Sequence, residues 1–282
     1  MKTPTLVCPY SRPLLDRIAG YAMVVRVDRF ADISRAADEV RSAGKTLQCV
    51  LVESEMPLNA IDFQKDWQGI PIALSVPAMG AFREIADRVR QLADLKVHVY
   101  LPAAKRENLT ASRMLASLDV TCCLVFDSAP PHWEALADLM TYALFGSNPH
   151  APVEPFNYLA EHYRAGADID WGAVYFDDSA EFLHLDADGR VALSWRELCC
   201  GAFIAEDISL LGDPSENALY RNSLNTRRAL FLNGHPCIAC EGWKVCLGRF
   251  GADGKHRPGC AASAADLLGE LEHYRNQQLE RA

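Results

Sequence analysis

The chain has 282 residues and a formal net charge of −9; half of its residues are apolar and 23% are charged. That balance fits one large folded α/β unit with a smaller appended module and excludes a disordered or low-complexity chain. An acidic chain is a poor match for a phosphate backbone, so no nucleic-acid partner is expected. The short basic groups, Arg26 with Arg29 and Arg227-Arg228, read as solvated or paired surface. No run of eighteen apolar residues occurs. The opening MKTPTLVCPYSRPLLDR meets proline and charge before any apolar core, so a cytoplasmic protein with no membrane partner is expected.

Five apolar runs, at 21–27, 47–53, 70–76, 95–101 and 120–126, each predict a short buried strand. Helical patterns at 33–44, 82–95 and 109–119 lie between them, which is the alternation of βα units around a parallel sheet. Segment 55–69 is less regular and predicts only a brief helix or loop. Asp32 is placed to cap the helix opening at Ile33, and Gly44 to close it. A sixth unit starts at Ser128-Ala-Pro-Pro and continues through HWEALADLMTYALF, with His132 and Trp133 at the start of a helix that covers the sheet.

A proline-rich crossover follows at 146–158, then a last strand in GAVYFDD (172–178). FLHLDADGRVALSW (182–195) predicts a hairpin turning at Asp188-Gly189. A break at 212–217 leads to a helix-like stretch and then to the cysteines. Ser263-Ala-Ala-Asp266 reads as the capping box of a closing helix whose Leu267, Leu271 and Tyr274 share a face. The expected organisation is a βα-repeat region over 1–158, the last strand, hairpin and linker over 159–212, and a cysteine-rich module with its helix over 213–282.

Ten cysteines is a high count for the reducing cytosol, where clustered cysteines read first as metal ligands. The stretch NGHPCIACEGWKVCLGRFGADGKHRPGC gives Cys237-x2-Cys240-x5-Cys246-x13-Cys260. Two cysteines separated by two residues can turn round one centre, and the two that follow complete a four-thiolate set. Such a set suits tetrahedral zinc or a [4Fe-4S] cluster, and spacing alone does not separate the two. His235 and His256 border the set as outer or surface residues, and Trp243 is placed to keep water from the centre. Glu241 and Lys244 read as solvated.

This stretch resembles the C-terminal region of radical S-adenosylmethionine (SAM) enzymes with a SPASM domain, which modify ribosomally made peptides and proteins. That family carries C-x2-C-x5-C-x3-C followed by one more cysteine, and an earlier cysteine pair straddling a glycine. Cys237, Cys240 and Cys246 match the first three positions and Cys260 the last, which implies the ligand set of the second auxiliary [4Fe-4S] cluster. The ligand set of the first auxiliary cluster is incomplete: the hairpin followed by Cys199-Cys200-Gly resembles the family's entry strand and first cluster cysteine, but Phe250 stands where one cysteine belongs and Asn217 where another does. Cys199 and Cys200, after the hairpin, are expected to pack as small apolar residues.

The radical SAM triplet C-x3-C-x2-C is missing, and Cys8 has no companions. Radical initiation therefore lacks its open iron, and no SAM is expected. The resemblance implies an incomplete (βα)5-6 partial barrel with its first catalytic element missing, followed by a small SPASM-like module. The implied function is that of a catalytically degenerate relative, partner or scaffold or electron-transfer subunit in peptide or cofactor maturation, with a protein or peptide partner such as a maturation enzyme. A zinc-stabilised protein-binding module and a non-radical iron–sulfur enzyme are the alternatives.

Other residues are weaker candidates. Asp127, Asp168, Asp170, Asp177 and Asp178 fall near predicted strand ends, where α/β ligand sites form, and Asp177-Asp178 is the best carboxylate pair among them. Glu53 and Glu55 lie near the same mouth, and His98 alternates within a strand. For each the bland reading, surface or core, is preferred. No G-x-G-x-x-G, P-loop, G-x-S-x-G or H-E-x-x-H occurs, so dinucleotide, P-loop, hydrolase-elbow and metalloprotease chemistries lack their residues.

Overall fold

The computed structural model describes residues 3–85, 88–126, 129–213, 216–218, 220–221, 230–250 and 259–281. Asp127, Arg227-Arg228, His256 and most of the stretch after the 212–217 break lie outside these described residues. In chain order the strands are β1 (Thr5–Pro9), β2 (Ala22–Val27), β3 (Thr46–Glu53), β4 (Ile72–Ser75), β5 (Val97–Pro102), β6 (Cys122–Val125), β7 (Val153–Glu154), β8 (Phe182–Leu185) and β9 (Val191–Ala192). The helices are α1 (Arg12–Arg17), α2 (Ile33–Ser42), α3 (Phe82–Ile85), α4 (Val89–Leu95), α5 (Arg106–Ala116), α6 (Trp133–Phe145), α7 (Phe156–His162), α8 (Trp195–Cys199), α9 (Trp243–Cys246) and α10 (Cys260–Arg281). The class is α/β, as the alternation requires.

Two units divide the chain. The first holds Met1–Glu53, Gln64–Ala73 and Gly172–Ala229; the second holds Ser54–Phe63, Leu74–Trp171 and Leu230–Ala282.

In the first unit the strand order is β3-β2-β1-β8-β9. Parallel pairs run from β3 to β8, and β8 with β9 forms the antiparallel hairpin. That hairpin turns where Asp188-Gly189 predicts, with Gly189 at φ 90°. Strands β1 and β2 are buried almost throughout, as strands covered on both faces must be. Helix α2 buries Ile33, Ala36, Ala37 and Val40, the i, i+3, i+4, i+7 stripe that faces a core.

Several expectations change here. Thr5–Pro9 forms a strand although its apolar run is short; pairing on both sides, with β2 and β8, completes its hydrogen bonds, and Pro9 falls at its last residue, where a missing N–H costs least. The segment 172–178 is not a strand. Trp171–Tyr175 winds as a 3-10 helix, and the Asp177 N–H returns to the Gly172 carbonyl, which closes a turn no ladder permits. Asp32 does not cap α2 with its side chain; its carboxylate takes the guanidinium groups of Arg29 and Arg35 instead.

In the second unit the order is β5-β6-β7, and the unit boundary falls within β4, between Ala73 and Leu74. The two-residue β7 lies inside the expected crossover and pairs parallel with β6. Helix α5 packs on β5 and β6, α6 packs on α5, and α10 packs on α6, α7 and α9. Asn108, only 1% exposed, donates to the Pro77 and Pro102 carbonyls, so its amide ties two loops rather than standing unpaired in the core. Helix α10 begins at Cys260, one turn before the expected capping box, so Ser263 lies inside it and donates its N–H to the Gly259 carbonyl. Leu267 and Leu271 are fully buried, and Tyr274 meets Phe145 of α6 edge to face.

Candidate metal centre

All four cysteines of the C-terminal set belong to the second unit. Chain geometry presents them in three steps. His235 accepts the Cys237 N–H on Nδ1 and starts the 3-10 turn Pro236–Ala239, which places Cys237 and Cys240 at successive bends. Trp243 N–H returns to the Cys240 carbonyl and opens α9, whose last residue is Cys246. Leu247 and Gly248 then take left-handed conformations, φ 48° and 82°, and fold the chain back over the Cys246 sulfur.

That fold-back gives Cys246 its environment. Its sulfur accepts the Phe250 N–H at 3.5 Å, and Cys260 at the start of α10 is the largest influence on its ionisation. Cys246 and Cys260 are each 4% exposed. The Cys246 thiol is held well above the usual thiol range, first by Cys260 and then by burial, while the Phe250 N–H pulls the other way. Cys237, half-buried, is raised by burial and then by the charges of Cys260 and Cys240. The four cysteines are thus neighbours that oppose one another's ionisation.

A bound cation reverses that relation, because each thiolate then gains a bond as it loses its proton. The start of α10 adds the positive end of a 22-residue helix beside Cys260. By donor type alone the four cysteines are the kind of residue that holds a thiolate-bound centre. Among the described residues, no group of three or more His, Cys, Asp or Glu is drawn about a single ion-sized point.

The surroundings are fixed by contacts that spacing did not reveal. A side-chain carbon at Gly242 would strike the backbone of Ala264, so α9 meets α10 at a position only glycine fits. Gly259 stands equally close to the Trp133 indole. Ile169 N–H donates to the Lys244 carbonyl, and Arg249 grips Asp170 through Nε and a second nitrogen, at 3.1 and 2.6 Å. The signal for these was present only as the two glycines flanking the cysteine pairs.

Phe250 is 1% exposed and packs against Phe126, Trp133 and Trp171, with ring centroids 5.1–5.9 Å apart. The position where the resembled family has a cysteine is here a plug in an aromatic cluster. Trp243 is half-buried with its ring beside Gly248, and Glu241 and Lys244 are exposed.

In the first unit, Asn217 donates to the Ile204 carbonyl, and Cys8 is fully buried in β1, with its thiol pushed up to about 12 by burial. Cys199 and Cys200 overturn their expectation: both are exposed, since α8 buries none of its residues.

The carboxylate candidates are not gathered into one site. Asp178 accepts the Ala180 N–H and its carbonyl takes the N–H groups of Glu181 and Phe182, so it builds the turn into β8. Asp170 is committed to Arg249, and Asp168, Glu53 and Glu55 are exposed. His98 is exposed on β5, and His132 caps α6 by accepting the Ala135 N–H. No helix among the described residues is long and apolar enough to cross a membrane.

Comparison of the chain with protein-family models, with curated proteins and with solved structures gives no match.

Proposed function

We propose that Cys237, Cys240, Cys246 and Cys260 hold one [4Fe-4S] cluster in a radical-SAM-like protein that has lost radical initiation. In this reading the chain serves as partner, scaffold or electron-transfer subunit in the maturation of a peptide or cofactor. The observation that carries it is the Cys246 environment: a buried sulfur, beside a second cysteine, that accepts the Phe250 N–H. An amide donor of that kind stabilises a ligating thiolate.

When bound, such a cluster supplies one-electron redox chemistry. The chain's own residues set its surroundings. Phe250 directs its amide at the Cys246 sulfur, and the aromatic cluster around Phe250 keeps the buried side of the loop dry. Four cysteine ligands give a closed coordination shell, which favours electron transfer or structural support over direct catalysis at iron. The missing C-x3-C-x2-C triplet and the burial of Cys8 within β1 both support a protein without a SAM site.

Anaerobic purification with measurement of iron, sulfide and zinc per chain tests the reading. About four irons and four sulfides, with absorption that bleaches on dithionite, are expected of one such cluster. One zinc without iron would replace it with a stapled protein-binding module.

A further inference from the structure

The loop 78–80, which follows β4, and the first turns of α5, which follows β5, enclose a cavity of about 470 Å3 in the second unit. The crevice outside the carboxyl ends of its strands is where an α/β sheet takes ligands, and that volume suits a small molecule. The loop is pinned: the Leu58 and Asn59 N–H groups donate to the Ala78 and Met79 carbonyls at 2.9 and 3.0 Å. Buried Met79 and Ala111, with Ala78 and Met114, give the cavity an apolar lining. Asn108 also lines it and is 1% exposed. Its Nδ2 donates to both the Pro77 and the Pro102 carbonyl, which fixes the amide and turns Oδ1 away from those acceptors. Among the described residues no group donates to that oxygen. A buried acceptor without a donor, set in a cavity wall, asks for an N–H from whatever fills the cavity.

The start of α5 adds a place for negative charge. This helix has 11 residues, and Lys105, its N-cap, provides no side-chain cap. The N–H groups of Arg106 and Glu107 reach no acceptor among the described residues. Arg106 lines the cavity, is exposed and enters no ion pair among the described residues. An anion held by those amides and that guanidinium, an N–H held by Asn108 and an apolar body against Met79 and Met114 are the three parts of one kind of molecule. We propose that this cavity binds an apolar α-amino acid through its carboxylate, either free or as the C-terminal residue of a peptide. The carboxylate accepts from the Arg106 side chain and the open amides of α5. The α-nitrogen, an ammonium in the free amino acid and an amide in the peptide, donates to Asn108 Oδ1. Glu107, on the same rim, favours the ammonium. The cavity shares no residue with the cysteine set, so the proposal holds whichever metal, or none, those cysteines bind.

The test follows amide NMR spectra of the full chain during titration with L-leucine, N-acetyl-L-leucine and L-leucinamide. At least one of the two carboxylates should shift the backbone amides of Arg106 and Glu107 and the side-chain amide of Asn108, saturating at millimolar ligand or below. Binding of L-leucine alone would mark a free amino acid as the ligand, binding of N-acetyl-L-leucine alone the end of a peptide, and binding of both a site that takes either. L-leucinamide keeps the side chain and the nitrogen but has no carboxylate, and should bind at least about ten-fold more weakly. Arg106→Gln, at an exposed position, should weaken the carboxylate about ten-fold, and Thr110→Trp, which fills the rim, should abolish binding. No saturable shift at these amides with either carboxylate would overturn the proposal. So would L-leucinamide binding as tightly, or an affinity unchanged in folded Arg106→Gln or Thr110→Trp.

Discussion

Strand β6 and the C-terminal cysteine loop both hide thiols, yet they hide them for different purposes. Cys122 and Cys123 are as buried as Cys246 and Cys260. Burial therefore does not tell a core cysteine from a candidate ligand; what reaches the sulfur does. In β6 the Cys122 thiol donates weakly to the Val120 carbonyl at 3.6 Å, and Cys123 is held by Tyr100, with both thiols raised by burial first. In the loop, the Cys246 sulfur accepts the Phe250 N–H and is coupled to the Cys260 thiol. Burial keeps the thiols of both regions neutral, and what sets Cys246 apart is its partners, a second cysteine and the Phe250 N–H in place of a strand carbonyl.

The largest expected effect comes from making the same substitution in both places. On the proposed reading, Cys246→Ser should strip the bound centre and loosen the loop and the start of α10 together, because metal binding and local folding are coupled. Cys122→Ser should keep the centre and cost about 1–3 kcal/mol for a buried hydroxyl lacking a full set of partners. Metal and sulfide content, with denaturant unfolding of each variant, gives the comparison. If Cys246→Ser retains the full content of wild type, the distinction drawn from the amide donor fails.

The sequence made the alternation of strands and helices legible because each unit repeats the same local pattern. The C-x2-C-x5-C-x13-C spacing is likewise plain in the sequence, and all four cysteines belong to the second unit. What it hid was non-local. Strand β1 forms because β8, 177 residues later in sequence, pairs with it on the side away from β2, and no window around Thr5 contains that information. Gly242 and Gly259 matter only because α10 and Trp133 come close to them. Asp32 looked like a helix cap and is instead drawn off by two arginines, a competition that local spacing does not rank. The exposed Cys199 and Cys200 were misread for the same reason: whether a short helix is covered depends on what packs on it.

The same rule, partners before burial, extends from sulfur to nitrogen at His184. Its ring is 4% exposed; Nε2 donates to the Phe176 carbonyl, and Nδ1 has no protein partner. Burial, joined by the charge of Arg26 and opposed by the Phe176 bond, lowers its pKa from 6.5 to about 4. The unfolded imidazole takes a proton below about 6.5, and the folded one does so only near 4. Stability should therefore fall as pH drops through that window, by roughly 3 kcal/mol at about 1.4 kcal/mol per pH unit. His184→Gln keeps a donor for Phe176 and cannot titrate, so its acid limb should be flatter by that amount. Urea unfolding of both proteins between pH 4 and 7 measures it, and parallel limbs would count against a buried neutral imidazole.

Glu154 supplies the smallest effect and the opposite sign. It lies in β7 opposite Cys123, and Oε2 accepts the Tyr158 N–H at 2.8 Å. Burial raises its pKa, with Glu161 adding to the rise and Tyr158 and His162 opposing it. A carboxyl raised on folding stabilises the fold while protonated, and that contribution is lost as pH rises through the folded pKa. Glu154→Gln keeps an oxygen for the Tyr158 N–H but carries no charge to desolvate. It should be more stable than wild type at neutral pH, with the gain disappearing in acid, where wild type is protonated as well. His184→Gln should show its advantage only in acid. Chemical denaturation of the two variants at pH 4 and pH 7 would separate the cases. A Glu154→Gln advantage of equal size at both pH values would mean that the gain comes from packing or backbone effects, and that the carboxylate beside Cys123 is adequately solvated.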